Sequence, residues 1–253
     1  MATGDATAGE SFRERHRGLI EAIRQALYIL GKNRLTIAGI LMVLFVVLVG
    51  VAAPVLAPHP EDVGSVTKFD QRLEGPSAEH PFGTDELGRD IFTRVLFGAA
   101  ISIRIAVFVV GSALAIGIPL GLAAGYVGGR LEMLIMRITD VFVSVPRLIL
   151  PVAVAGALGP SLRNVMLALI VTWWPWYVRL LRSEVKEVKQ AEYVQAVEGL
   201  GASKLRVMFR HLLPNSITSL LVQATMDMGW VILVAASLSF IGIGASSPTP
   251  EWG

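Results

Sequence analysis

Five stretches of this chain carry almost no charge, and they dominate what it can fold into. Residues 35–57, 105–127 and 164–178 contain no charged side chain, residues 141–158 contain only Arg147, and residues 220–243 contain only Asp227. At about 1.5 Å of rise per residue, a helix of roughly 20 residues crosses a hydrocarbon core of about 30 Å. Inside lipid a lone segment satisfies its backbone polar groups only as a helix. The expected fold class is therefore an all-α membrane protein, a polytopic helical bundle with five spans visible. Composition agrees. The chain is 53% hydrophobic and 17% charged, whereas an ordinary soluble domain is about 25% charged. A net charge of only +2 argues against nucleic acid as a partner. Cysteine is absent, which excludes a disulfide framework and a thiolate metal site.

The first apolar run begins at residue 35, whereas a whole signal peptide is about 15–30 residues. It reads as a retained span. Basic residues crowd the N-terminal segment (Arg13, Arg15, Arg17, Arg24, Lys32, Arg34), the second loop (Arg130, beside Arg137) and the fourth loop (Arg179, Arg182, Lys186, Lys189, Lys204, Arg206, Arg210). The first loop dilutes its Lys68, Arg72, Arg89 and Arg94 with eight acidic residues, and the third has Arg163. The positive-inside rule then puts the N-terminus in the cytoplasm and Gly253 outside. The expected organisation is a cytoplasmic segment at 1–34, a first span at 35–57, an outer loop with a surface helix at 58–100, and a core at 101–253 with a polar cytoplasmic hairpin at 182–215.

Within the outer loop, "HPFGTDELGRDIFTRVLFG" offers Thr84 or Asp85 as a helix cap, followed by Leu87, Ile91 and Val95 on one apolar face with Phe92 and Leu96. This predicts a short helix at the outer membrane surface. Thr84, Asp85, Gly88, Arg89 and Asp90 are its candidate partner-docking residues. In the second span Gly117, Gly121, Gly125 and Gly129 recur every four residues, a stripe that lets helices approach closely. Pro119 within it is a possible kink. The "WWPWY" cluster at the end of the fourth span suggests a membrane interface.

Asp227 and Arg147 are ionisable residues inside spans, where a charge costs about 2.5–3.5 kcal/mol on an insertion scale. Each is a candidate pathway residue. The alternative for Asp227 is a helix–helix hydrogen bond, and Arg147 either pairs with it or snorkels. Arg137 and Asp140 are spaced as a structural i, i+3 pair. Catalytic signatures are missing. There is no phosphate-cradling G-x-x-x-x-G-K-[ST], no H-E-x-x-H and no G-x-S-x-G, and His16, His59, His80 and His211 are scattered. No catalytic residue, metal site or cofactor of the chain's own is expected.

The polar segment "EYVQAVEGLGASKLRVMFRHLLPN" at 192–215 is patterned as two helices. The fourth span runs on as a helix until Gly199 and Gly201 interrupt it, each costing about 1 kcal/mol in a helix interior. Ser203 caps a second helix whose Leu205, Met208, Phe209 and Leu212 share a face, and Pro214 ends it. The tip "GLGAS" is small enough for another protein's groove; the alternative is a connector lying on lipid headgroups.

These residues resemble the EAA loop of ABC-importer permeases, with Gln195, Ala196, Val197, Gly201, His211, Leu213 and Pro214 at its pattern positions. Gln195, Val197 and His211 depart from its usual Glu, Ala and Ile. "HPFGTDELGRD", "RITDVFVSVP", "VRLLRSEV" and "LSFIGIGASSPTPEWG" extend the similarity over residues 33–253, toward the C-type permeases of the dipeptide, oligopeptide and nickel branch. The resemblance implies a type I importer fold, with a sixth span following "PEWG". It also implies a second homologous permease subunit, two ATP-binding subunits carrying ATP and Mg, an extracytoplasmic substrate-binding protein, and surrounding membrane lipid. The ATPase-docking residues it implies are Tyr193, Gln195, Ala196, Gly199, Gly201, Ala202, Ser203, Arg206, Leu213 and Pro214. Cargo would be dipeptides or short peptides, with nickel or haem as alternatives. The family's acid before "LSF" is Ala235 here, and Asp227 lies about 80° away around the helix. A non-transporting scaffold or an intramembrane enzyme is the reading from another class.

Overall fold

A computed structural model describes residues 31–244 and 248–252. The expectations for Arg13, Arg15, Arg17, Arg24 and Gly253 fall outside these residues. The described residues form helices and no strand: α1 (Arg34–Leu56), α2 (Ile91–Val127), α3 (Gly129–Val143), α4 (Ile149–Leu158), α5 (Leu162–Val188), α6 (Glu192–Gly199) and α7 (Lys204–Phe240). Two short 3-10 turns, Pro60–Val63 and Phe69–Gln71, punctuate the loop before α2. α1, α2, α5 and α7 are each long and apolar enough to cross a membrane. α4 is apolar but spans only 10 residues, about 15 Å.

The chain divides into two units, residues 1–49 and 50–253. The described part of the first is the opening of α1, whose Leu41, Val43 and Phe45 are exposed as a lipid-facing helix requires. In the second, Gly50 meets the backbone of α2: a Cβ there would lie 3.1 Å from the Ala100 nitrogen.

The core is built on α2 against α5, joined by α7. The glycine stripe explains the closeness of the first pair. A Cβ on Gly117, Gly121 or Gly125 would lie 2.6, 2.9 or 2.7 Å from Tyr177, Leu181 or Val185. The glycines and their partners both recur every four residues, so one ridge lies in one groove. α2 passes through Pro119 without ending. Gly128 (φ +71°) and Gly129 (φ +59°) then reverse the chain into α3, in a backbone region that side-chain-bearing residues avoid. Beyond that turn, Glu132 accepts from Arg182 Nε at 2.6 Å and pairs with Lys186. Lys189 Nζ donates to the Tyr126 carbonyl at 2.8 Å, a cation on the terminal turn of α2.

Five expectations are corrected. The separate surface helix does not exist: its residues from Ile91 onward are the start of α2, a single 37-residue helix. Its cap is Asp90, which accepts from the Thr93 N–H at 2.7 Å, and not Thr84 or Asp85. The apolar stretch at 141–158 is not one helix. Pro146 lacks an N–H and disfavours helical geometry at Val145, so α3 closes at Val143 and α4 opens at Ile149. Conversely, Pro214 does not end its helix. Residues Val207–Leu212 form a π-helical turn, which shifts the hydrogen-bond register, and Leu213 restarts the α-helix with Pro214 in its first turn. Asp140 lies 3.6 Å from Arg179 and forms no pair with Arg137.

Candidate translocation and coupling sites

Arg147 stands on the turn that Pro146 makes. Its Nη2 donates to Asp227 Oδ1 of α7 at 2.8 Å. Asp227 is fully buried and also accepts from Gln223 Nε2 at 3.1 Å, one helical turn earlier. The guanidinium carbon lies 4.4 Å from the Trp173 ring centroid, 5.5 Å from Trp176 and 5.6 Å from Trp230. Pairing and three ring faces offset the cost of the charges in an apolar layer. Arg147 therefore pairs with Asp227 and does not snorkel. Sequence reasoning missed Gln223 and the packing of the tryptophans around Arg147. "WWPWY" reads as an interface belt, yet Trp173 and Tyr177 are buried. The available signal was the i, i+3 spacing of Trp173 and Trp176, which puts both on one helical face.

The polar hairpin is three pieces. α5 stops at Val188, residues 189–191 turn, and α6 runs from Glu192 to Gly199; the expected single helix through this segment is thus broken at the turn. α6 ends in a Schellman motif: the Gly201 N–H donates to the Glu198 carbonyl at 2.9 Å and the Ala202 N–H to Val197 at 3.3 Å. Gly201 takes φ +81°, the conformation that this cap demands of glycine. Ser203 occupies the N-cap position of α7 but its side chain makes no capping bond. Asn215 Nδ2 donates to the Tyr193 hydroxyl at 3.1 Å and to the His211 carbonyl at 2.6 Å, tying α6 to the π turn.

Of the ten coupling candidates, Tyr193, Gln195, Ala196, Gly199, Gly201, Ser203, Arg206 and Pro214 are exposed, while Ala202 and Leu213 are half-buried. A cleft of about 460 Å³ is lined by Val197, Leu200, Gly201, Ala202, Arg206, Arg210 and His211. The sequence reading omitted Leu200, which is 88% exposed at the tip. An apolar side chain held out at a rigid turn, with Arg206 and Arg210 beside the cleft, is the pattern of an anchor with a polar rim.

The outer loop is a closed hydrogen-bonded unit. Asp85 Oδ1 accepts from the Leu87 and Arg89 N–H groups at 2.8 and 3.0 Å, and Oδ2 from Arg89 Nε at 2.8 Å. Burial alone would raise the Asp85 carboxyl, but these bonds from Arg89 and Leu87 outweigh it and hold the group below its ordinary value. Thr84 accepts from the Glu74 N–H at 2.8 Å. Gly88 (φ +74°) passes against the Lys68 carbonyl, where a Cβ would clash. Thr84, Gly88, Arg89 and Asp90 are thus buried. Their side chains and backbone build the loop from within. Asp85 lines a cleft of about 370 Å³ with Ile91, Arg94, Val95, Pro250, Glu251 and Trp252. Trp252 covers Gly98 and donates from Nε1 to the Val95 carbonyl at 3.1 Å.

Long apolar helices, a glycine-packed core and a polar hairpin between spans define a multi-pass helical membrane protein. The model of the binding-protein-dependent transport system inner membrane component family matches residues 117–253, and that of the N-terminal TM domain of oligopeptide transport permease C matches residues 22–76. The chain belongs to the binding-protein-dependent transport permease family. It is 43% identical over 230 residues to a dipeptide transport system permease protein of Alkalihalophilus pseudofirmus, covering 91% of this chain and 75% of that protein. It is 44% identical over 227 residues to a probable D,D-dipeptide transport system permease protein of Escherichia coli, covering 90% and 75%. A glutathione transport system permease protein of Pectobacterium atrosepticum is 39% identical over 222 residues, covering 88% and 73%.

Proposed function

We propose that this chain forms half of the translocation pathway of an ATP-driven importer for dipeptides or short peptides, and that it couples that pathway to motor subunits. One observation carries the reading: α7 runs from the hairpin tip at Lys204, through its π-helical turn at Val207–Leu212, to the buried ion pair at Asp227 with no non-helical residue between. A push on the tip reaches the pathway through a rigid element, as hinge and shear transitions require. Arg147, one-third exposed and held by the buried Asp227, presents a cation beside the Trp176 and Trp230 rings, which suits the carboxylate of a short peptide. The three named relatives handle dipeptides or glutathione, all small peptides.

In this reading the chain holds no cofactor, and ATP and Mg are bound by two partner subunits gripping the 182–215 hairpin. A second homologous permease completes the conduit, and an extracytoplasmic binding protein delivers cargo at the outer loop. The N-terminal segment lies in the cytoplasm, at the plasma or inner membrane of a bacterium, as the basic loops favour. The test is reconstitution of the chain with its partner subunits in vesicles, with dipeptides, nickel and haem offered in parallel. ATP-dependent dipeptide uptake is expected. Uptake of nickel or haem alone would overturn the cargo, and failure to copurify with any ATPase would overturn the permease role.

A further inference from the structure

The outer loop holds a cluster that neither the ion pair nor the hairpin uses. His80 is 2% exposed, and its Nδ1 lies 3.1 Å from Asp90 Oδ1. Asp90 is fully buried and fixed: it accepts from the Thr93 N–H at 2.7 Å, and its own N–H donates to Asp62 at 2.9 Å. A carboxylate on Nδ1 keeps the proton there and leaves Nε2 with a free lone pair, the tautomer of a metal-ligating histidine. His80 Nε2 is buried with no hydrogen-bond partner among the described residues. Native folds rarely leave such an atom unsatisfied without a use for it.

Beside it stands His59, its ring centroid 4.8 Å from that of His80. His59 Nδ1 lies 3.6 Å from the Glu61 carboxylate, and its Nε2 lies 3.3 Å from the Glu79 carbonyl oxygen. Ligand atoms of His59, Glu79 and His80 come within 4.8 Å of one another.

We infer that His59, Glu79 and His80 form a binding site for a divalent transition metal of the zinc class. Two imidazoles and one carboxylate suit zinc, whereas magnesium and calcium demand oxygen ligands. Zinc bonds of about 2.0–2.1 Å in a tetrahedron place ligand atoms roughly 3.4 Å apart. Closure therefore moves ligand atoms inward by about 1 Å. Glu79 is exposed and its side chain can swing inward, and His59 joins by exchanging its long contact to the Glu79 carbonyl for the metal, while His80 stays anchored. Three protein ligands leave a fourth position for water.

The site has a mechanical consequence. His59 follows the end of α1, while His80 is tied through Asp90 to the first turn of α2. An ion there rivets the junction of the two spans to the loop between them. Its binding stabilises the folded loop in proportion to the logarithm of free zinc. The inference stands independently of which cargo the permease carries.

The full chain, purified with its partner subunits and without a histidine tag, is stripped with chelator and titrated with zinc chloride by calorimetry. Bound zinc is counted after desalting. One zinc per chain is expected, with nitrogen and oxygen neighbours at about 2.0–2.1 Å by X-ray absorption, and a melting temperature that rises with zinc but not with magnesium. His59→Gln and Glu79→Gln are each expected to weaken binding at least tenfold while leaving uptake intact. His80→Gln also removes the bond to Asp90, so it does not isolate the metal. Absence of retained zinc overturns the inference, and so does unchanged affinity in the His59→Gln, Glu79→Gln double variant.

Discussion

Arg147 Nη2 and Asp227 Oδ1 lie 2.8 Å apart although 80 residues separate them in the chain. The pair joins the turn between α3 and α4 to the middle of α7. Removing one partner of a buried pair is strongly destabilising, by about 3–5 kcal/mol, because it strands the other charge. Arg147→Met leaves Asp227 buried alone, so it is expected to lower the melting temperature in detergent more than the double variant Arg147→Met, Asp227→Asn. The exposure of Arg147, one-third of its side chain, puts the effect toward the lower end. Equal losses in the single and double variants would mean the pair is not coupled.

The glycine stripe makes a positional prediction. Gly121→Val must force Leu181 aside, since even a Cβ would lie 2.9 Å away, and overpacking costs about 1–3 kcal/mol. Gly111 lies on the same helix with nothing within 4 Å. Gly111→Val is therefore expected to cost far less in the same thermal-unfolding assay. Equal costs would contradict the close packing of α2 on α5.

At the hairpin tip, Leu200→Asp changes an almost fully exposed side chain and is expected to leave membrane abundance and melting temperature within error. ATP-dependent uptake should fall at least tenfold if the tip is the motor's anchor. Gly201→Asp should also uncouple transport, with an added stability cost of about 1–2 kcal/mol because its φ of +81° disfavours any side chain. Wild-type uptake by Leu200→Asp would sink the docking assignment.

Glu132 supplies a pH dependence. Hydrogen bonds from Lys186 and then Arg182 hold its carboxyl below the ordinary value of 4.5, against burial that raises it. A lowered folded-state pKa gives stability that is present above the ordinary value and lost as pH falls through the lowered one. The wild type should therefore exceed Glu132→Gln in melting temperature at pH 6, and the gap should close as pH drops below about 4.5. A gap independent of pH would show that the contribution of Glu132 is not ionic.

Much of the architecture is legible in single residues. The absence of charge from 35–57 and from 105–127 suffices to identify α1 and the second half of α2. The start of α2 at Ile91 is not legible, because Arg94 and Arg104 interrupt the apolar pattern. Arg94 donates to the Pro248 carbonyl at 3.1 Å, a contact 154 residues away, while Arg104 is exposed. The helix break at the hairpin tip was legible because a glycine at a helix end has a local cause, the Schellman cap. Leu200 was not, since exposure of an apolar residue depends on what the rest of the fold leaves uncovered.

By itself the sequence determined that the chain is helical and crosses a membrane several times, because lipid makes each apolar segment satisfy its own backbone locally. It also determined where helices approach, through the spacing of Gly117, Gly121 and Gly125. Only the tertiary structure decided that Arg147 meets Asp227, that the tryptophans face this pair and that Pro214 does not end its helix. Those outcomes depend on which distant side chains and carbonyls become neighbours when the helices pack, and no local pattern encodes that neighbourhood.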